Sequence, residues 1–355
     1  METVPEDHNS TAMRPQEARR AEPRTRRAPP GVSHTMHGAV AGVLDSLLDR
    51  TIVFSFDRTG YRRHAAGFVP GDLDVDLSGK VAIVTGANAG LGYEIALGLA
   101  RLGATVRLVC RDAARGEAAL QRLAAAVRHP HLRLDVVDVS SLAAVRAYVA
   151  SLEADQVDVL VNNAGVLLDE LSFTEEGLER TLATNLVGPF LLTELLLPKL
   201  ARSDDARVVQ VSSGGMYSER LDVAALESAG VRRFDGVAAY ARTKRAQVVL
   251  NELWAERHAA LPITWSAMHP GWADTPGVRT SLPRFRLVTQ HILRTPAEGA
   301  DTAVWLSACR RLRGESGYFW FDRTRQPTHL WSRTREPAEE REVFWRALER
   351  WANLA

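Results

Sequence analysis

The chain has 355 residues, 46% of them hydrophobic, enough for one large domain or two smaller ones. With 44 basic and 43 acidic residues its formal charge is +1, so no global field favours nucleic acid or an acidic membrane. The two cysteines, Cys110 and Cys309, form no spaced cluster, which argues against a disulfide framework or metal site and fits a reducing, cytoplasmic setting. Only Lys80, Lys199 and Lys244 are lysines. Arginine serves wherever a positive charge suffices, so a retained lysine points to a need for a compact ammonium.

Residues 1–35 are rich in Arg, Pro and Glu without apolar period and are expected to be a disordered tail. The interspersed Glu2, Glu6, Asp7, Glu17 and Glu22 argue against a transit peptide. Residues 36–75 are expected to form a helical extension. Its stripe, 39–56, carries Val40, Val43, Leu44, Leu47 and Leu48 and runs on to Phe56. Asp45, Asp49 and Arg50 interrupt it, so it is not read as a transmembrane span. It either packs on the domain, the preferred reading, or makes a peripheral contact with a membrane surface.

From 81 the periodicity alternates. Strands are expected at 81–84, 105–109, 132–136, 157–161, 207–211, 263–268 and 317–321. Helices are expected at 93–102, 113–127, 142–152, 177–200, 237–257 and 297–309. Strands alternating with helices predict a Rossmann-type, doubly wound parallel sheet in three α/β/α layers, a single domain over 76–325. The remainder, 326–355, contains a charged helix at 337–354 whose Phe344, Trp345 and Trp351 dock on the domain or on a partner subunit in a homo-oligomer.

The chemistry starts at the first strand. Gly86-Ala87-Asn88-Ala89-Gly90-Leu91-Gly92 follows an apolar run and opens a helix. Unpaired N–H groups and a partial positive charge at a helix start cradle an anion, and glycines let a pyrophosphate approach the backbone. The end of the second strand reads Cys110-Arg111-Asp112. An acid beside the adenosine ribose accepts from its 2′-hydroxyl, whereas an arginine accommodates a 2′-phosphate, so Arg111 predicts NADP(H) and Asp112 is read as a helix cap. Asp138-Val139 ends the third strand, where the carboxylate either binds the adenine amino group or caps the next helix. Asn162-Asn163-Ala164-Gly165 follows the fourth strand and suits a backbone passing under a flat cofactor. Tyr240-Ala241-Arg242-Thr243-Lys244 puts a tyrosine and a lysine on one helix face. A nearby ammonium favours phenolate, which tunes a tyrosine to exchange a proton with an alcohol while hydride moves.

These elements occur in the order of, and resemble, the classical short-chain dehydrogenase/reductase pattern: Thr85-Gly86-x-x-x-Gly90-x-Gly92, Asn162-Asn163-Ala164-Gly165, Ser213, Tyr240-x-x-x-Lys244 and Pro270-Gly271. Cys110-Arg111-Asp112 with Gly116-Glu117 resembles the family's retinol-dehydrogenase-like branch. The resemblance implies that Ser213, rather than Ser212, orients the substrate oxygen and that Tyr240 is the acid/base. Lys244 then holds the ribose hydroxyls and tunes Tyr240, and Asn185 anchors a water that links Lys244 to solvent. Asn163 and Gly165 then line the adenine and ribose side, Thr275 reaches the nicotinamide carboxamide, and Ala164, Pro270 and Gly271 also bind the cofactor. The stretch from Ser213 to Tyr240 is longer than in compact members, and Tyr217 within it is a rival acid, but Leu221 supplies no lysine four residues on.

The expected reaction interconverts a hydrophobic carbonyl compound and its alcohol, with Leu167, Leu168, Met216, Tyr217 and Trp272 on the substrate side. The alternative from another class is an NADP-binding scaffold or redox sensor with vestigial catalysis, which would be free to lose Tyr240 or Lys244. An epimerase or dehydratase expects Gly-x-x-Gly-x-x-Gly, which Gly86, Gly90 and Gly92 do not give.

Overall fold

Short, largely apolar runs bounded by glycine or polar turns form the central strands, and both sheet faces are buried, which is why these strands are buried along their length rather than alternately. A computed structural model describes residues 55–127, 131–227, 233–275, 277, 279, 286–287 and 289–354. The tail 1–35, and all of the 39–56 stripe except Ser55 and Phe56, lie outside the described residues.

In chain order the elements are α1 (Arg58–Ala65), β1 (Val81–Thr85), α2 (Gly90–Arg101), β2 (Thr105–Cys110), α3 (Ala113–Val127), β3 (Leu132–Val136) and α4 (Leu142–Ser151). They continue with β4 (Val159–Asn162), α5 (Arg180–Leu200), β5 (Ala206–Val211), α6 (Gly236–Arg257), β6 (Ile263–Met268), α7 (Pro296–Ala308), β7 (Tyr318–Phe321), β8 (Thr324–Gln326) and α8 (Ala338–Trp351). The sheet order is β3-β2-β1-β4-β5-β6-β7-β8, with all pairs parallel except β7–β8. The winding reverses between β1 and β4, and this switch point opens a crevice at the strands' carboxyl ends.

Two cores result. Ile95 and Leu99 of α2, Leu123 of α3 and Trp305 of α7 cover one face. Leu142 of α4, Phe190 of α5, Trp254 of α6 and Phe344 of α8 cover the other. The C-terminal aromatics therefore dock on the domain itself, and the rings of Phe190 and Trp345 meet edge to face at 5.3 Å. Helix α5 is long and apolar enough to cross a membrane, but 78% of its apolar window is buried inside the fold, so here it is a core helix.

Two features depart from the sequence expectation. Helix α5 contains a π-helical turn, Ala183–Val187, around Asn185. The antiparallel β8 was not foreseen, because the two-residue turn before it uses Asp322 and Arg323 at φ 46° and 57° instead of the usual Asn-Gly. Tertiary contacts offset this left-handed strain: Asp322 is gripped by Arg294, and Arg323 forks onto Asp301 at 2.7 and 2.8 Å.

Candidate active site

The crevice is a cleft of about 940 Å³ at the carboxyl end of the sheet. Gly86 turns the chain out of β1 at φ +66°, a conformation that suits glycine. The Asn163 amide donates to Thr85 O at 2.8 Å, and Asn163 N and Ala164 N both donate to Thr85 Oγ1 at 3.0 Å. The end of β4 thus clamps the turn after β1. A Cβ on Gly92 would fall 2.5 Å from Asn163 Nδ2, so only glycine fits there. Helix α2 opens on Ala89, which offers no side-chain cap. Helices α4, α6 and α7 are capped by Ser141, Asp235 and Thr295. The start of α2 is left to an anion, and this cradle fits the pyrophosphate of a dinucleotide.

Asn88, Gly90, Leu91, Arg111, Asp138, Val139, Gly165, Pro270, Gly271 and Thr275 all line the same cleft. Asp112 takes the capping role, accepting from Arg115 N at 2.9 Å. Asp138 Oδ1 accepts from Ser140 N at 2.9 Å and Ser140 Oγ at 2.7 Å while its residue still faces the cleft, and the cap of α4 is Ser141 rather than Asp138. Arg115 also lines the cleft beside Arg111. Sequence reasoning missed it, although an arginine four residues after Arg111 was the available signal.

At the far end, Tyr240 and Lys244 of α6 meet the end of β5. Ser212 is buried and donates to Lys244 O at 2.8 Å, while Ser213 lines the cleft and hydrogen-bonds with the Tyr240 phenol. Lys244 Nζ donates to Val211 O at 2.9 Å and lies 5.3 Å from the centre of the Tyr240 ring. A Cβ on Gly165 would lie 3.4 Å from both Asn185 Oδ1 and Lys244 Nζ, so both side chains border Gly165. The Asn185 side chain closes a pair with Val166, accepting from its N–H at 2.8 Å and donating to its carbonyl at 3.0 Å, and it also donates to Thr243 Oγ1. The Asn185 carbonyl accepts from Gln247 Nε2 at 2.5 Å. Gln247 continues the Tyr240–Lys244 stripe by one more turn, a periodicity that sequence reasoning followed only as far as Lys244.

The electrostatics correct one expectation. The sequence predicts that Lys244 pulls the Tyr240 phenol down. Among the protein's own groups, burial instead pushes the phenol up, and the Ser213 hydrogen bond pulls the other way. Burial also lowers Lys244 to about 7, so the ammonium is poised to titrate near neutrality. The other two lysines hold compact structural posts. Lys80 bridges Asp158 and Asp204, and Lys199 Nζ donates to Leu152 O and Ala154 O.

The expected substrate side is also corrected in part. Leu167, Leu168 and Trp272 line the cleft, but Met216 and Tyr217 do not. The 3₁₀ turn Gly214–Ser218 folds both inward against Val248, Ala267 and Phe319. Tyr217 donates its hydroxyl to Pro327 O at 2.9 Å, which removes it as a rival acid.

Fold and cleft together define a dinucleotide-binding α/β protein with a tyrosine, a serine and a lysine at one end of the nucleotide site. The family described as short chain dehydrogenase matches residues 80–284. Dehydrogenase/reductase SDR family member 12 of Bos taurus is 41% identical over 293 residues, covering 81% of this chain and 92% of its own. Retinol dehydrogenase 12 of Bos taurus is 35% identical over 287 residues, covering 80% and 89%. A solved 3-ketoacyl-(acyl-carrier-protein) reductase from Brucella melitensis complexed with NADH superposes with a TM-score of 0.54 at 27% identity, covering 69% of this chain and 96% of that one. The chain belongs to the short chain dehydrogenase family, on the side of the retinol dehydrogenases. It is an NAD(P)(H)-dependent oxidoreductase of alcohol and carbonyl groups.

Proposed function

We propose that this oxidoreductase uses NADP(H) and interconverts a hydrophobic ketone or aldehyde and its alcohol, with Tyr240 as the acid/base. The observation that carries the reading is the convergence of the Tyr240 phenol, the Ser213 hydroxyl and the Lys244 ammonium at one end of the cleft. Bound nicotinamide supplies or takes the hydride. Ser213 holds the carbonyl oxygen by hydrogen bonding. Tyr240 gives its proton to that oxygen as the carbonyl π pair becomes a lone pair, and the phenolate regains a proton from solvent. Lys244 holds positive charge beside the phenolate while it exists, and Asn185 fixes the chain behind Lys244. The bare start of α2 binds the pyrophosphate, with Gly86, Asn88, Gly90, Leu91 and Gly92 as the cradle. Arg111 and Arg115 both line the cleft, which supports recognition of a 2′-phosphate there. One solved relative is complexed with NADH, so the reading of NADP(H) for this chain rests on the two arginines.

The apolar wall of Leu167, Leu168 and Trp272 supports a hydrophobic substrate. The proposal includes a cytoplasmic setting, supported by the buried free thiols of Cys110 and Cys309. A panel of apolar carbonyls and alcohols, followed by NADPH absorbance, tests the whole reading. NADPH should bind more tightly than NADH and be oxidised by members of the panel. Equal dissociation constants would overturn the nucleotide assignment, and tight NADPH binding without turnover of any panel member would favour the scaffold reading.

A further inference from the structure

Phe56, Arg294 and Asp322 all lie outside the matched segment 80–284, yet they grip the loop after β6 that lines the cleft. Arg294 is 1% exposed. Its guanidinium forks onto Asp322, Nη1 to Oδ1 at 2.6 Å and Nη2 to Oδ2 at 2.8 Å. The same guanidinium holds backbone carbonyls of the N-terminal segment: Nη2 donates to Ser55 O at 2.9 Å, and Nε to Phe56 O at 2.9 Å and Asp57 O at 3.0 Å. A buried guanidinium is costly unless its donors are filled, so the arrangement fixes residues 55–57 in place. Arg58 N adds a bond to Ile292 O at 2.8 Å.

The cleft loop is bound into this knot. Trp272 N donates to Phe56 O, and Arg294 N donates to Trp272 O, each at 2.8 Å. Gly271, at φ +68°, passes so close that a Cβ there would lie 2.6 Å from Arg294 Nε and 2.7 Å from Phe56 O. The Phe56 ring meets the Trp272 ring edge on at 6.2 Å and lies 4.6 Å from His269 and 5.1 Å from Phe321. It also fills the space over Gly214, where a Cβ would fall 2.5 Å from Phe56 Cε2. One side chain thus touches both the turn that carries Ser213 and the loop that carries Trp272.

We propose that Ser55–Asp57 is the back wall of the substrate side of the active site, with Phe56 a positioning residue that sets the separation of the Ser213 turn and the Trp272 loop. Arg294 and Asp322 anchor the wall. The inference rests on the assignment of Ser213 to the substrate oxygen. The Phe56 ring packs on the Ser213 turn and the Trp272 loop, so its loss falls first on the carbonyl substrate. Because reacting groups tolerate little misplacement, Phe56→Ala in the full chain is expected to lower kcat/KM for a bulky apolar carbonyl by about tenfold to a hundredfold. NADPH affinity should change by less than kcat/KM does, because the loop that carries Trp272 also carries Gly271 and Thr275. Phe56→Leu, which restores apolar bulk, should recover most of the loss.

Amide hydrogen exchange reads the wall without any substrate, so it separates failure of this inference from failure of the proposed function. Phe56→Ala should speed exchange at 213–217 and 271–274 and leave 86–92 unchanged. Unaltered exchange at both loops would overturn the wall. Accelerated exchange spread over the glycine turn would also overturn it, by reducing Phe56 to a general packing residue.

Discussion

The two sides of the cleft are built differently. The pyrophosphate cradle is nearly one continuous stretch, β1 through the glycine turn into α2, clamped by Asn163 after the neighbouring strand. The substrate side is gathered from Leu167–Leu168, the turn after β5, the loop after β6 and, behind them, Phe56. A phosphate is recognised by backbone amides, so the requirement on sequence is absence of side chains at fixed spacing. A carbonyl substrate is recognised by side chains held at chosen distances, and those distances depend on segments far apart in the chain.

That contrast accounts for what could be read from the residues alone. Periodicity gave α3 and β6 to their terminal residues, and the parallel architecture followed from alternation. The glycine spacing located the crevice. Met216 and Tyr217 were misplaced because a 3₁₀ turn reverses which side chains face inward, and nothing in Gly214-Gly215-Met216-Tyr217 reveals that reversal. The β7–β8 hairpin was illegible because Asp322 and Arg323 tolerate left-handed backbone only through Arg294 and Asp301, each distant in sequence. Phe56 was noticed as the end of an apolar stripe, but its place against Gly214 depends on the same guanidinium.

If the two sides act separately, substitutions should separate them. The largest effect is expected from Tyr240→Phe, which keeps the ring and removes the proton. Turnover should fall at least about a hundredfold, with NADPH affinity unchanged within about twofold, measured by steady-state rates and nucleotide titration. Near-normal turnover would detach Tyr240 from the chemistry. Next, Arg111→Ser should weaken NADPH binding by about tenfold, leave NADH binding alone, and preserve turnover at saturating NADPH. A parallel loss for both nucleotides would mean that Arg111 supports the fold of the pocket instead of reading a phosphate.

Lys244 straddles the division, and its prediction concerns stability. Its folded-state value is lowered to about 7 from the usual 10.5, so the unfolded chain binds the extra proton between those limits. Wild-type stability is therefore penalised fully below about pH 7, and the penalty fades as pH rises towards 10.5. Without nucleotide, Lys244→Met should melt above wild type at pH 6, with the gap closing by pH 10. Calorimetry that finds the variant less stable at pH 6 would mean that the bond from Nζ to Val211 O outweighs the burial of charge.

The last strand of the sheet bears on how copies of this chain meet. β8 spans only Thr324–Gln326, puts Arg325 on its rim, and is followed at once by Pro327, which has no N–H to offer. Such a short, charged, proline-stopped border is a poor template for an approaching strand, so end-to-end growth of the sheet into a continuous ribbon is discouraged on that flank. Self-association there would have to use side chains on helical surfaces.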